Sequence, residues 1–126
     1  MDTIWLQKDL KSDFSILVGD IGGTHTSLGL VGKQGRTFTL QVKFLFKTQS
    51  LSSIFTALEE VRRIIPTLRN SGPLTMCCLS VAGPVQDNFC RMTNVNWEIK
   101  GLDIEAFLGA RTLIINDFLA LSYALP

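Results

Sequence analysis

Two apolar runs separated by a pair of glycines constrain this chain more than any other feature. Phe14, Ile16, Leu17 and Val18 lead into Gly19-Asp20-Ile21-Gly22-Gly23-Thr24-His25-Thr26, and Ser27 to Val31 form the next apolar run. Runs this short, bounded by glycine, predict two buried strands joined by a tight turn in which Gly22 and Gly23 are free to take positive φ. Such a turn can aim successive backbone N–H groups into one concavity, the way protein backbones hold phosphate oxygens. Asp20, at the strand end, stands where a carboxylate meets a magnesium ion through its water shell. An ordinary Gly-Gly hairpin explains the same residues. The segment lacks the Gly-Lys-Ser/Thr ending and the following helix of the nucleotide-binding P-loop, and it lacks the spaced glycines of a dinucleotide site.

At 126 residues the chain is one domain's worth, enough for a hydrophobic core but small for a two-substrate enzyme. A net charge of +1 comes from acids and bases mixed along the sequence, with no basic block, which excludes a nucleic-acid or anionic-membrane surface. No apolar stretch is long enough to span a bilayer. Asp2, Lys8, Asp9, Lys11 and Asp13 interrupt the amino terminus, so Met1 to Asp13 holds no signal-peptide core. Cys77, Cys78 and Cys90 lack metal-site spacing. Thiols in an apolar run act as small buried hydrophobes, and a reduced, cytoplasmic setting is expected.

Downstream, Arg36 to Lys47 alternates apolar and polar residues, which predicts a third strand with Phe38, Leu40, Val42 and Phe44 on one face, entered through a turn at Lys33-Gln34-Gly35. Ser50 is the expected N-cap of a helix carrying Leu51, Ile54, Phe55, Leu58, Val61, Ile65 and Leu68, which Pro66 weakens or ends. Leu74 to Val81 suits a strand covered on both faces, and Ala82-Gly83-Pro84-Val85 turns it out. Asn88 to Val95 is expected to hold a short hairpin strand. Asp103 looks like the cap of a helix running to Gly109, Thr112 to Ile115 is a last buried strand, and Phe118 to Leu125 a helix. Three meandering strands followed by crossovers make a mixed five-stranded α/β layer. Ligands of such sheets collect beyond strand ends, so the glycine turn, the Ala82–Pro84 loop and Asn116-Asp117 are expected to face one crevice.

Asp117 is the candidate catalytic group. A carboxylate at a strand end can accept the proton of an alcohol as its oxygen attacks phosphorus, while Asn116 orients that alcohol. Asp is also a favoured helix cap, and a carboxylate committed to backbone donors is a weaker base. Thr93-Asn94-Val95-Asn96-Trp97 sets two amides and a hydroxyl beside an indole, groups that sugar sites use and that a polar turn with a half-buried Trp also explains. His25 is a lone histidine beside the glycines, with a turn or surface role.

Three segments in order, Leu17 to Thr24, Met92 to Trp97 and Ile114 to Ser122, with the Ser80-to-Val85 loop between them, resemble the bacterial glucokinase family of the sugar-kinase, actin and heat-shock-chaperone superfamily. The resemblance implies a ribonuclease H-like, actin-like ATPase lobe and ATP-dependent transfer of a phosphoryl group to the 6-hydroxyl of glucose, with Mg2+. It implies that Gly19, Asp20, Ile21, Gly22, Gly23 and Thr24 hold the ATP phosphates, that Asn116 and Asp117 bind the sugar with Asp117 as general base, and that Asp20 reaches Mg2+ through water. Thr93 and Asn94 fall beside the sugar site, and His25 replaces the asparagine that often follows Gly-Gly-Thr. The likeness runs from Phe14 to Pro126, so residues 1–13 are expected as an extension and 14–126 as the amino-terminal, smaller lobe. The larger lobe of the family, with the adenosine pocket and further sugar contacts, is the expected partner, and without it the lobe is expected to be inactive. Its exposed apolar face makes a homodimer a further expectation. A non-catalytic, sugar-responsive regulator or scaffold of the same fold is the alternative; a filament or chaperone role leaves the Asn116-Asp117 pair without a purpose.

Overall fold

The computed structural model describes residues 1–6, 11–68 and 70–124. In chain order its strands are β1 (Asp2–Trp5), β2 (Phe14–Ile21), β3 (His25–Gln34), β4 (Thr37–Lys47), β5 (Leu74–Val81), β6 (Val85–Gln86), β7 (Phe89–Arg91), β8 (Glu98–Lys100) and β9 (Arg111–Asn116). Its helices are α1 (Ile54–Ile64), α2 (Gly101–Leu108) and α3 (Asp117–Ala124). The main sheet is six-stranded in the order β1-β4-β3-β2-β5-β9, and β6-β7-β8 form a small second sheet. β2, β5 and β9 run parallel and the remaining neighbours antiparallel. The mixed α/β layer is therefore as the sequence predicts, with six strands rather than five. The sixth comes from Asp2–Trp5, within the segment read as an extension: Thr3, Ile4 and Trp5 are strand formers, and they pair with the otherwise open edge of β4. Residues 7–10 of that segment, and Leu125 at the end of the expected last helix, lie outside the described residues.

Alternate residues of the sheet, among them Leu17, Leu28, Leu30, Val42, Phe44, Leu79 and Ile114, enter one core with Ile54, Leu58 and Val61 of α1 and Ile104 of α2. Phe55 and Phe107 join the two helices edge to face, ring centroids 5.3 Å apart. The opposite face is less covered than the expectation for β5: Val18, Met76 and Leu113 keep 36%, 40% and 52% of their surface exposed.

Two local readings change. The register of β3 against β4 slips between Leu30 and Val31, so that Leu30 pairs with Val42 and Val31 with Leu40, leaving Gln41 as a bulge. An extra residue inverts the alternation, so Phe38 and Leu40 leave the face of Val42 and Phe44; Phe38 is exposed and Leu40 lies over Gly29 on the other side. The helix cap is Ser53, not Ser50: its Oγ accepts from the Phe55 N–H at 3.1 Å, while Thr48–Ser50 form a 3-10 turn of their own. Ile65–Thr67, with Pro66, close α1 as a second 3-10 turn. At α2, Asp103 sits in the first turn rather than at the cap, and Gly109 ends the helix in the left-handed region at φ 70° with its N–H on Glu105 O.

Candidate active site

Parallel pairing fixes the site. Ile21 lies beside Val81 and Val81 beside Asn116, so the ends of β2, β5 and β9 stand in one row. The chain leaves that row through Gly22–Thr24, Ala82–Pro84 and Asp117, and the three segments expected to share a crevice do share one edge of the sheet. Ala82 N–H reaches across to Ile21 O at 3.0 Å.

Gly22 and Gly23 do not use the positive φ that the sequence suggests, since among the described residues only Gly35, Gly72 and Gly109 of the glycines do. The pair is required by closeness instead. A methyl on Gly23 would lie 2.8 Å from Asn94 Cβ and 2.9 Å from its Nδ2, and one on Gly22 would lie 3.1 Å from His25 O. The turn is held from β4: Thr48 Oγ1 donates to Gly22 O at 2.7 Å, Thr48 N–H to Thr24 O at 2.9 Å, and Gly22 N–H closes on His25 O at 2.9 Å. Among the described residues the N–H groups of Gly23 and Thr24 make no backbone hydrogen bond, so two successive donors remain for a ligand. Gly19, Asp20 and Ile21 belong to the strand rather than the turn; a methyl on Gly19 would strike Leu28 and Leu79, which makes that glycine a packing requirement. Asp20 is exposed between Ser27 of β3 and Ser80 of β5, and among the described residues no hydrogen bond or ion pair engages its carboxylate. No group of three or more His, Cys, Asp or Glu among the described residues forms a metal cage. One free carboxylate at the phosphate turn suits magnesium that arrives on a phosphate and keeps its waters.

At the head of β9 the capping question resolves in favour of Asn116. Its Oδ1 accepts from the Phe118 N–H at 2.9 Å, which caps α3, and its Nδ2 donates to Gly83 O at 2.5 Å. The amide thereby ties the Ala82–Pro84 loop to the start of α3 and keeps one hydrogen and one lone pair for a ligand. Asp117, one residue on, is exposed with its carboxylate unengaged among the described residues. It lies near Cys90: burial first, then the Asp117 charge, push the Cys90 thiol upward. Cys90 in turn packs on Gly83, where a methyl would meet its Sγ at 2.9 Å.

The Thr93–Trp97 segment is a closed turn with buried feet. Met92 N–H donates to Trp97 O at 3.0 Å, Trp97 N–H to Val95 O at 2.8 Å, and both Met92 and Trp97 are buried while Thr93, Asn94 and Asn96 stay exposed. Asn88 escaped the sequence reading. With Asp87 it takes positive φ (58° and 54°) in the two-residue β6–β7 turn, and its side chain bonds to Thr112 O at 2.9 Å and Ile114 N–H at 2.7 Å. Its amide behaves as one peptide unit of a further strand along the open edge of β9. The Asp-Asn pair was the available signal, since both residues tolerate the left-handed turn.

No helix among the described residues is long and apolar enough to cross a membrane. The family model for glucokinase matches residues 17–126. A glucokinase of Saccharophagus degradans is 35% identical over 115 residues, which is 88% of this chain and 34% of that protein. The crystal structure of a glucokinase from an Antarctic psychrotroph superposes with a TM-score of 0.72 at 28% identity, covering 89% of this chain and 35% of that one. A glucokinase of Balamuthia mandrillaris, solved in complex with glucose, shares the fold with a TM-score of 0.58 at 24% identity, over 83% of this chain and 30% of that one. The chain thus spans about a third of the length of the relatives it matches.

Proposed function

The chain belongs to the glucokinase family, and from that premise we propose that its residues carry the phosphate turn and the base of an ATP-dependent glucose 6-phosphotransferase. The Gly23 and Thr24 N–H groups bind oxygens of the ATP phosphates. Asn116 holds the acceptor side of the site and spends its spare hydrogen or lone pair on a sugar hydroxyl. Asp117 takes the proton of the 6-hydroxyl as that oxygen bonds to the γ-phosphorus and the bond to the ADP oxygen breaks. Asp20 holds magnesium through water, and the ion, when bound, neutralises charge on the phosphates. The amino-terminal lobe, residues 14–126, supplies these groups. The adenosine pocket and further sugar contacts belong to the part of the family's length that this chain does not span, so residues 1–126 alone turn over little or nothing.

One observation carries the reading: Asn116 caps α3, which leaves the Asp117 carboxylate uncommitted in the row of strand ends shared with the glycine turn. The test is Asp117→Asn in the full product of the gene that encodes these residues, assayed for glucose 6-phosphate formation. Loss of general-base help lowers kcat by about 10²–10⁴. The melting temperature stays put, because the carboxylate holds no partner among the described residues. Turnover that survives the substitution removes Asp117 from the mechanism.

A further inference from the structure

The Asn94–Gly23 contact joins two turns that arrive from distant parts of the chain. The glycine turn is fixed from β4 by the three bonds of Thr48 and Gly22, and the 93–97 turn is fixed by its own closure over buried Met92 and Trp97. Neither has slack at its base. They touch where Gly23 meets the Asn94 side chain, with less room between them than one methyl needs. Beside that point, on the glycine turn, stand the two N–H groups left for phosphate. Two stiff parts in contact at one place pass a displacement from one to the other.

We propose that Asn94 is a positioning residue that couples the two substrates: a sugar seated against the 93–97 turn presses Asn94 onto Gly23 and fixes the Gly23 and Thr24 N–H groups toward the donor phosphates. The inference rests on the phosphotransferase reading above and adds to it a route between the acceptor and the donor. Coupling of this kind is reciprocal, so the nucleotide changes glucose affinity by the same factor as glucose changes nucleotide affinity.

The experiment uses the full gene product and calorimetric titration of D-glucose with and without a non-hydrolysable ATP analogue and magnesium. The unaltered protein shows a coupling factor of about 5 or more, within the usual span of site-to-site couplings. Asn94→Ala brings that factor to about 1 while each ligand alone binds within about threefold of its former affinity, a split that general loss of structure does not produce. Gly23→Ala lowers kcat/KM for ATP at least about tenfold, and Asn94→Gly restores it by making room for the methyl. Absence of coupling in the unaltered protein, coupling that persists in Asn94→Ala, or Gly23→Ala damage that is the same in the Asn94→Gly background each overturns the proposal. Asp117→Asn removes turnover and leaves the coupling factor in place, so failure of the base assignment and failure of the coupling are separate results.

Discussion

Gly101→Ala is expected to reverse the sign of its effect when Asn88 is truncated. Gly101 opens α2, and its N–H donates to Asn88 O at 2.9 Å; a methyl there would lie 1.9 Å from Asn88 Nδ2 and 2.6 Å from its Cγ. The Asn88 side chain must leave, and its bonds to Thr112 O and the Ile114 N–H go with it. Two hydrogen bonds at a half-exposed edge are worth about 1 kcal/mol each net, so Gly101→Ala costs about 2 kcal/mol. Asn88→Gly loses the same two bonds without straining the positive φ, and costs a similar amount. In the double variant the methyl meets no side chain, and alanine in a helix gains about 0.5 kcal/mol over glycine. The coupling between the sites is then about 2–3 kcal/mol, well above the scatter of independent sites. Urea unfolding of the four proteins measures it: each single variant moves the midpoint down by about 1 M at a slope near 2 kcal/mol/M, and the double variant lies at or above Asn88→Gly. Strictly additive losses would refute the steric argument.

Three further outcomes follow from the packing and the thiols. Burial, aided by the Cys78 charge and partly offset by the Thr112 hydroxyl, pushes the Cys77 thiol up to about 12. Cys77 should therefore be the last cysteine alkylated at pH 8, by mass spectrometry of iodoacetamide-treated native protein. The unfolded thiol loses its proton at lower pH than the folded one, so Cys77 contributes stability in full below its ordinary pKa of 9.0, and that contribution is lost as pH rises toward about 12. Cys77→Ala should flatten the fall of urea midpoint between these limits, and an unchanged slope rejects the assignment. Gly109→Ala, in open space but at φ 70°, should cost about 1 kcal/mol from backbone strain alone, read as a shift in urea midpoint, and Gly109→Asn should cost less.

How far the fold was legible follows from what each residue answers to. β2, β5 and β9 are apolar runs between breakers, and their burial on the core face shows in sequence as continuous hydrophobicity. The Gln41 bulge was hidden because Phe38, Leu40, Val42 and Phe44 satisfy an unbroken alternation, and only the pairing with β3 reveals the slip. Three serines, Ser50, Ser52 and Ser53, offer themselves as caps, and the choice falls to the tertiary path of the chain. In the site, residue types pointed to Asp117 and to the glycines. The division of labour between Asn116 and Asp117 depends on where Gly83 lies, and the need for Gly23 depends on Asn94, distances that no local pattern encodes.

The row Ile21–Val81–Asn116 acts as a ruler for the chemistry. Each strand end is set by hydrogen-bond register, and one residue added inside β5 would advance the Ala82–Pro84 loop by about 3.3 Å and turn its following side chains to the other face of the sheet. Insertions at the far edge, such as the Gly35 turn between β3 and β4, leave the ruler unread. Length variation in descendants of this sequence should therefore gather at one rim of the sheet, while the strands that feed the opposite rim keep their residue count through extensive change of side chain.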